Sequence, residues 1–290
     1  MHCNRLFRLT VLFLILAPAL QAQEEVEGSV IQTLTPSKLI GKGQWDLKWF
    51  NNLYTQNKST FSEGTEPRET FFTSTLEGFT GMDTKRRWNL GLILEFRSNV
   101  VANRNALDVF AFDGERGTAR SGFTSIAPAV KFVPFNNVGN FSIQSAFFFP
   151  LVDNETEEGV FLDQNGYLWQ NRLFYDHTFP GNHFQLFTEL NTELNFGPQA
   201  NSFANDSLRL TPGLFFSYFP SASFTVLALV QHSQLININN NFSQDFTAVG
   251  GGAKYQLTKE LNLELLYTQF VRGTNTGLGK TFNLGLRAVF

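Results

Sequence analysis

The chain has 290 residues, 33 of them Phe; only 16% are charged, and the formal charge is −3. That balance excludes a basic nucleic-acid binder. No apolar run of about 18 residues follows the N-terminus, and mean hydropathy is −0.12, which excludes a helical membrane bundle. A membrane protein built from strands stays open, because such strands dilute apolar residues with polar ones.

Residues 1–22 read as a secretory signal. Arg5 and Arg8 precede the apolar run Val11–Leu16, Ala17-Pro18-Ala19 follows, and cleavage is expected after Ala22. Its removal takes the formal charge from −3 to −5 and removes Cys3, the only cysteine. The mature chain is then expected to have no disulfide, no cysteine-ligated zinc and no thiol nucleophile. Residues 23–43 are polar, with Gly28, Gly41 and Gly43, and read either as a tail or as a segment folded back into the domain at 44–290.

From Trp45 onward the period becomes two. Twelve strands are expected at 45–56, 68–80, 88–100, 122–135, 140–152, 166–179, 182–196, 207–220, 223–235, 242–258, 261–275 and 278–290. In the third, Trp88, Leu90, Leu92, Leu94 and Phe96 oppose Asn89, Glu95, Arg97 and Asn99. In the seventh, Phe184, Leu186, Leu190, Leu194 and Phe196 oppose Gln185, Glu189, Asn191, Glu193 and Asn195. The ninth, around Phe224–Val230, is apolar on both faces. Short connections alternate with mostly longer ones, and no stretch after the signal carries the 3.6-residue period of a helix. The pattern predicts an all-β fold: a closed antiparallel transmembrane β-barrel of about 12 strands, with the short turns and both termini on the periplasmic side.

Charges on the polar faces should then point into the lumen. Counting from the turns puts Lys254, Glu264 and Arg287 at one height on neighbouring strands, and barrel closure brings Asp46 and Lys48 beside Arg287. Arg172 faces Glu189 at mid-height, and Glu193 neighbours Arg209 higher up. With Glu95, Arg97 and Lys131, these residues are the expected lining. They either set the preference of a pore or only rigidify a narrow barrel, since confined charges need partners in both cases. About twelve strands lie between the filled interior of eight and the aqueous channel of sixteen to eighteen, which implies a narrow path.

The connection at 101–121, with Asp108, Asp113, Glu115, Arg116 and Arg120, is expected either to constrict the mouth or to be a solvated surface loop. The acidic one at 153–165 carries Asp153, Glu155, Glu157, Glu158 and Asp163. It could meet lipopolysaccharide through bridging cations, but it lacks the spacing of a calcium loop, so no metal site is assigned. No catalytic residue is assigned either. His232 and Ser233 are adjacent on a strand and so point to opposite faces, out of reach for a base and its nucleophile. His177 and His183 have no third metal ligand in sight. Gly250-Gly251-Gly252 lies inside a strand, where glycine marks a bend or a close backbone approach, and no cofactor is implied.

At the C-terminus, Phe282, Leu284, Leu286, Ala288 and Phe290 alternate with mostly polar residues, and the chain stops on an aromatic. This resembles the signal read by the outer-membrane barrel assembly machinery. Ala127-Pro-Ala-Val-Lys131, Phe147-Phe-Phe-Pro-Leu151, Leu210-Thr-Pro-Gly-Leu214, Gly250–Tyr255, Leu261–Tyr267 and Phe282–Phe290 follow one another as in a broad group of bacterial outer-membrane barrels. The chain resembles the transporter family grouped with phenol-degradation outer-membrane proteins. The resemblance implies an outer-membrane barrel, surrounded by lipid and lipopolysaccharide, that passes small solutes or hydrophobic compounds. The alternatives are a non-conducting structural barrel and a lipid-modifying enzyme.

Overall fold

The computed structural model describes residues 36–197, 205–239 and 241–290. The signal at 1–22 and most of the polar segment at 23–43 lie outside the described residues. Twelve strands form one closed antiparallel barrel: β1 (Trp45–Gln56), β2 (Glu69–Gly81), β3 (Trp88–Val100), β4 (Ala119–Phe132), β5 (Phe141–Pro150), β8 (Tyr167–Thr178), β9 (Phe184–Phe196), β10 (Ser207–Tyr218), β11 (Phe224–Asn237), β12 (Gln244–Gln256), β13 (Leu261–Thr274) and β14 (Lys280–Val289). Two short strands, β6 (Thr156–Glu157) and β7 (Val160–Phe161), make a hairpin inside the connection after β5. The barrel closes between β1 and β14, in register from Asp46↔Val289 to Thr55↔Lys280.

Closure satisfies every strand edge, which lipid requires because it offers the backbone no hydrogen bonds. It also gives each strand two solvents. Leu92 and Leu265 are 51% and 53% exposed on the outer face, where acyl chains cover them in a membrane. Arg172 and Glu189 alternate with such residues and face inward, because a cation on the lipid face at mid-membrane costs about 2–4 kcal/mol.

The connections at 82–87, 133–140, 179–183, 219–223 and 257–260 share one end with the termini. There Trp45 N donates to Phe290 O (2.7 Å) and Phe290 N to Trp45 O (3.0 Å), so the last aromatic is tied into the closing pair. The connections at 57–68, 101–118, 151–166 and 275–279, with the described parts of those after β9 and β11, form the opposite, outer end.

Strand ends depart from the expected ones by up to three residues, most at β4, which starts at Ala119. The cause is a bulge: Ser125 pairs with Glu95 and Phe123 with Phe96, leaving Thr124 over and inverting the alternation before it. The glycines of β12 mark a close approach. A Cβ on Gly250 would lie 2.0 Å from Tyr267 O, and one on Gly252 2.0 Å from Leu265 O.

The third connection does not constrict the mouth. It is the surface loop of the two readings, largely exposed, and it is pinned to the outer wall at one point. A 3₁₀ turn at Ala106–Phe110, capped by Asn105, buries Val109 against Phe72 and Val100, with Leu53, Phe96 and Ala119 around them. Ser98 Oγ donates to Val109 O (2.6 Å). Arg104 gathers the acids of this connection, meeting Asp113 at 2.6 Å, Glu115 at 3.1 Å and Asp108 at 3.4 Å. Its hydrogen bonds hold the Asp113 carboxyl below the usual carboxylate range.

Candidate functional site: the barrel lumen

Inward positions enclose a cavity of about 640 Å³. Its wall is mixed all round. Ion pairs set Arg287 Nη2 2.7 Å from Asp46 and Lys254 Nζ 2.6 Å from Glu264. Apolar residues stand between the polar ones, Phe79, Ile93, Phe148, Phe174, Phe187, Phe215, Leu227 and Leu229 on β2, β3, β5 and β8–β11, and Phe50, Phe246 and Phe270 on β1, β12 and β13. The two-faced apolar pattern of the ninth expected strand, β11, is explained here, because Leu227 and Leu229 belong to this inner wall.

Arg172 of β8 reaches across the lumen. It meets Glu189 on adjacent β9 at 2.7 Å and reaches Glu77 of β2 at 3.4 Å, although β3, β4 and β5 lie between β8 and β2 in the sheet. The contact is therefore a chord across the lumen. A guanidinium suits this place, since its planar fork can serve two carboxylates at once.

Of the expected lining residues, Asp46, Lys48, Glu95, Lys131, Arg172, Glu189, Lys254, Glu264 and Arg287 border the cavity. Arg97, Glu193 and Arg209 lie nearer the outer mouth. Arg209 pairs with Glu193 at 3.6 Å, and Arg97 contacts Glu95 at 3.7 Å and Asp163 at 2.9 Å. Sequence reasoning missed Glu77 and Asp163. Glu77 does sit at an inward position of β2, which was a usable signal; the identity of its partner was not.

Both ends of the lumen are narrowed. On the periplasmic side, residues 36–42 cross the floor. Asn89 Nδ2 donates to Ile40 O (3.0 Å), and Ile40 N donates to Asn89 Oδ1 (3.3 Å). Ser142 Oγ donates to Pro36 O (3.4 Å), Ser37 Oγ donates to Asp176, and Lys38 Nζ lies 3.9 Å from Asp176. Lys42 bridges to Gly81 in parallel register, where a Cβ on Gly81 would fall 1.9 Å from Gly41 O; only glycine admits the segment there. Of the two readings of this segment, its described part therefore takes the folded-in one.

At the outer mouth the fifth connection turns inward. Asn99 Nδ2 donates to Phe161 O (2.7 Å) and Leu162 O (3.1 Å). Arg120 Nη1 donates to Glu155 O (3.0 Å) and its Nη2 lies 3.2 Å from Glu157. Arg116 meets Glu158. Several acids of this connection are thus met by arginines of the same chain rather than presented to bridging cations.

The residues weighed for chemistry are kept apart. His232 lies at an outward groove and its Nδ1 contacts Thr247 Oγ1 at 3.0 Å, while Ser233 accepts from Arg209 Nη1 inside the lumen at 3.2 Å. His177 packs edge-on against Phe179. Among the described residues, no group of three or more His, Cys, Asp and Glu side chains is placed to hold a metal ion.

No family model and no curated protein sequence matches the chain. In structure it is similar to an outer membrane channel from Pseudomonas putida F1, with a TM-score of 0.68 and 11% identity over 88% of this chain and 98% of that one. It is similar also to the beta domain of the Bordetella autotransporter BrkA (TM-score 0.56, 14% identity, 85% and 99% covered). The translocator domain of the autotransporter NalP from Neisseria meningitidis follows (TM-score 0.51, 11% identity, 89% and 91% covered). At these identities the likeness establishes the fold, that of a twelve-stranded outer-membrane barrel.

Proposed function

We propose that the protein is a passive outer-membrane channel for small solutes, including hydrophobic compounds, that pass a narrow lumen of mixed lining. The observation that carries this reading is the cavity of about 640 Å³ lined by aromatic residues interspersed with ion pairs. The apolar residues can hold the body of a solute, while the ion pairs keep the path hydrated and selective. The similarity to the Pseudomonas putida channel supports it. In this reading residues 1–22 direct export, Phe290 is read by the barrel assembly machinery, and outer-membrane lipid and lipopolysaccharide surround residues 44–290. The twelve charged residues from Asp46 to Arg287 named as expected lining set solute preference.

Single-channel recording of refolded protein in a planar bilayer tests it. Steady, salt-dependent steps are expected, and Arg172→Ala should shift ion selectivity by freeing Glu77 and Glu189. Unchanged conductance and selectivity in that variant would count against a lumen role for Arg172.

One observation favours a second reading, a sealed structural barrel: residues 36–42 cross the floor while the fifth connection occupies the mouth. A folded, heat-modifiable protein that stays silent in the bilayer would select it. Enzyme action is disfavoured by the opposite facing of His232 and Ser233. Phospholipid turnover lost in His232→Ala would reverse that judgement.

A further inference from the structure

We propose that Lys131 and Gln144 form a head-group subsite in the lumen for a small carboxylate with an apolar body. The inference rests on the channel reading for how a ligand arrives, but its evidence is local.

Lys131 on β4 and Gln144 on β5 are register partners that both point inward and border the cavity. The lumen carboxylates near them are engaged: Asp46 by Arg287, Glu77 and Glu189 by Arg172, Glu264 by Lys254. Lys131 has no carboxylate within ion-pair distance. Its Nζ lies instead over the Phe79 ring, 4.1 Å from the centroid. Lysine is rarely this enclosed without a counter-ion, and Lys131 is only 7% exposed.

Gln144 is 1% exposed, and neither its Nε2 nor its Oε1 has a hydrogen-bond partner. An amide left bare on both atoms is costly unless something else satisfies it. One ammonium and one amide N–H group side by side offer two donors and a positive charge, which matches the two oxygens of a carboxylate. Phe79, Ile93 and Phe148 border the same cavity beside them and supply an apolar wall for the rest of the molecule. The cavity is ample for one aromatic ring carrying a carboxylate.

Benzoate is the probe, with benzamide as its neutral counterpart, and binding is read by isothermal titration calorimetry on the refolded full-length barrel. Benzoate should bind more tightly than benzamide. Lys131→Met and Gln144→Leu should each weaken benzoate about tenfold or more, the usual scale for losing a charge-assisted bond. Lys131→Arg should retain binding, and heat-modifiable mobility in gels shows that each variant is folded. Equal affinity for benzoate and benzamide, or folded Lys131→Met binding benzoate like the parent, overturns the subsite. Conductance is scored separately. Steps without benzoate binding sink the subsite and spare the channel; benzoate binding to a silent barrel does the reverse.

Discussion

The third and fifth connections are both long and both acid-rich, yet they leave the barrel in opposite directions. The third brings its own counter-ion: Arg104 collects Asp108, Asp113 and Glu115. With those acids met internally, it follows its apolar residues outward, and Val109 buries against Phe72 and Val100. Acids of the fifth are met by arginines elsewhere. Arg97 and Arg120 point into the lumen, so Asp163 follows Arg97 inside while Glu157 meets Arg120 from an exposed position, and Val160 and Leu162 are buried there. A loop's destination is set by where its unmet partners lie, more than by its length or net charge.

The largest expected effect separates the two directly. Replacing residues 152–165 by a short Gly-Ser turn should raise single-channel conductance, because it removes the chain that fills the mouth. The same replacement of residues 102–117 should leave conductance unchanged. Equal responses would break the comparison.

Next in size is a change of stability without a change of path. Val109→Asp puts a carboxylate into the outer apolar cluster and should lower stability by about 1–3 kcal/mol, read as a fall in the urea midpoint of the refolded barrel, with conductance preserved. Smaller still is Arg97→Gln. It loosens the hold on Asp163 at the mouth, should cost about 1 kcal/mol or less at that partly open site, and should add brief fluctuations to the open level. A quiet open level in that variant would show that Asn99 and Arg120 suffice to hold the fifth connection.

Much of the barrel was legible because adjacent residues on each strand face two unlike solvents. Leu94 beside Glu95 and Leu190 beside Glu189 record which side is which. Pairs between neighbouring strands were legible too, because tight turns set the register: Lys254 opposite Glu264, Arg209 opposite Glu193, and Arg172 one diagonal step from Glu189. Three things were not. The bulge at Thr124 inverts the alternation before it and hides the start of β4. The contact of Arg172 with Glu77 crosses the lumen, where counting along a hairpin has no purchase. The directions of the third and fifth connections depend on Ser98 and Asn99, consecutive residues that face opposite sides and each hold a different loop. The folded floor left a trace in Asn89, an inward amide whose partner, the backbone of Ile40, carries no sequence signal.

The smallest effect is a pH response confined to the third connection. Asp113 titrates lower in the folded protein than its ordinary value of 3.8, chiefly because Arg104 donates hydrogen bonds to it. A carboxyl lowered on folding adds stability that is fully present above the unfolded value and disappears as pH falls through the folded one. The clamp around Arg104 should therefore hold at pH 5 and loosen only below 3.8. Phe110→Trp, in the 3₁₀ turn that packs on Phe72, gives a local fluorescence reporter. Its emission should be flat down to pH 5 and change below 3.8, while the barrel's circular dichroism stays constant. Adding Asp113→Asn should remove that step, leaving a loop that reports the same environment across the range. If the step survives the added substitution, Asp108 or Glu115 is the acid that ties the third connection to Arg104, and the self-neutralised loop has a different keystone.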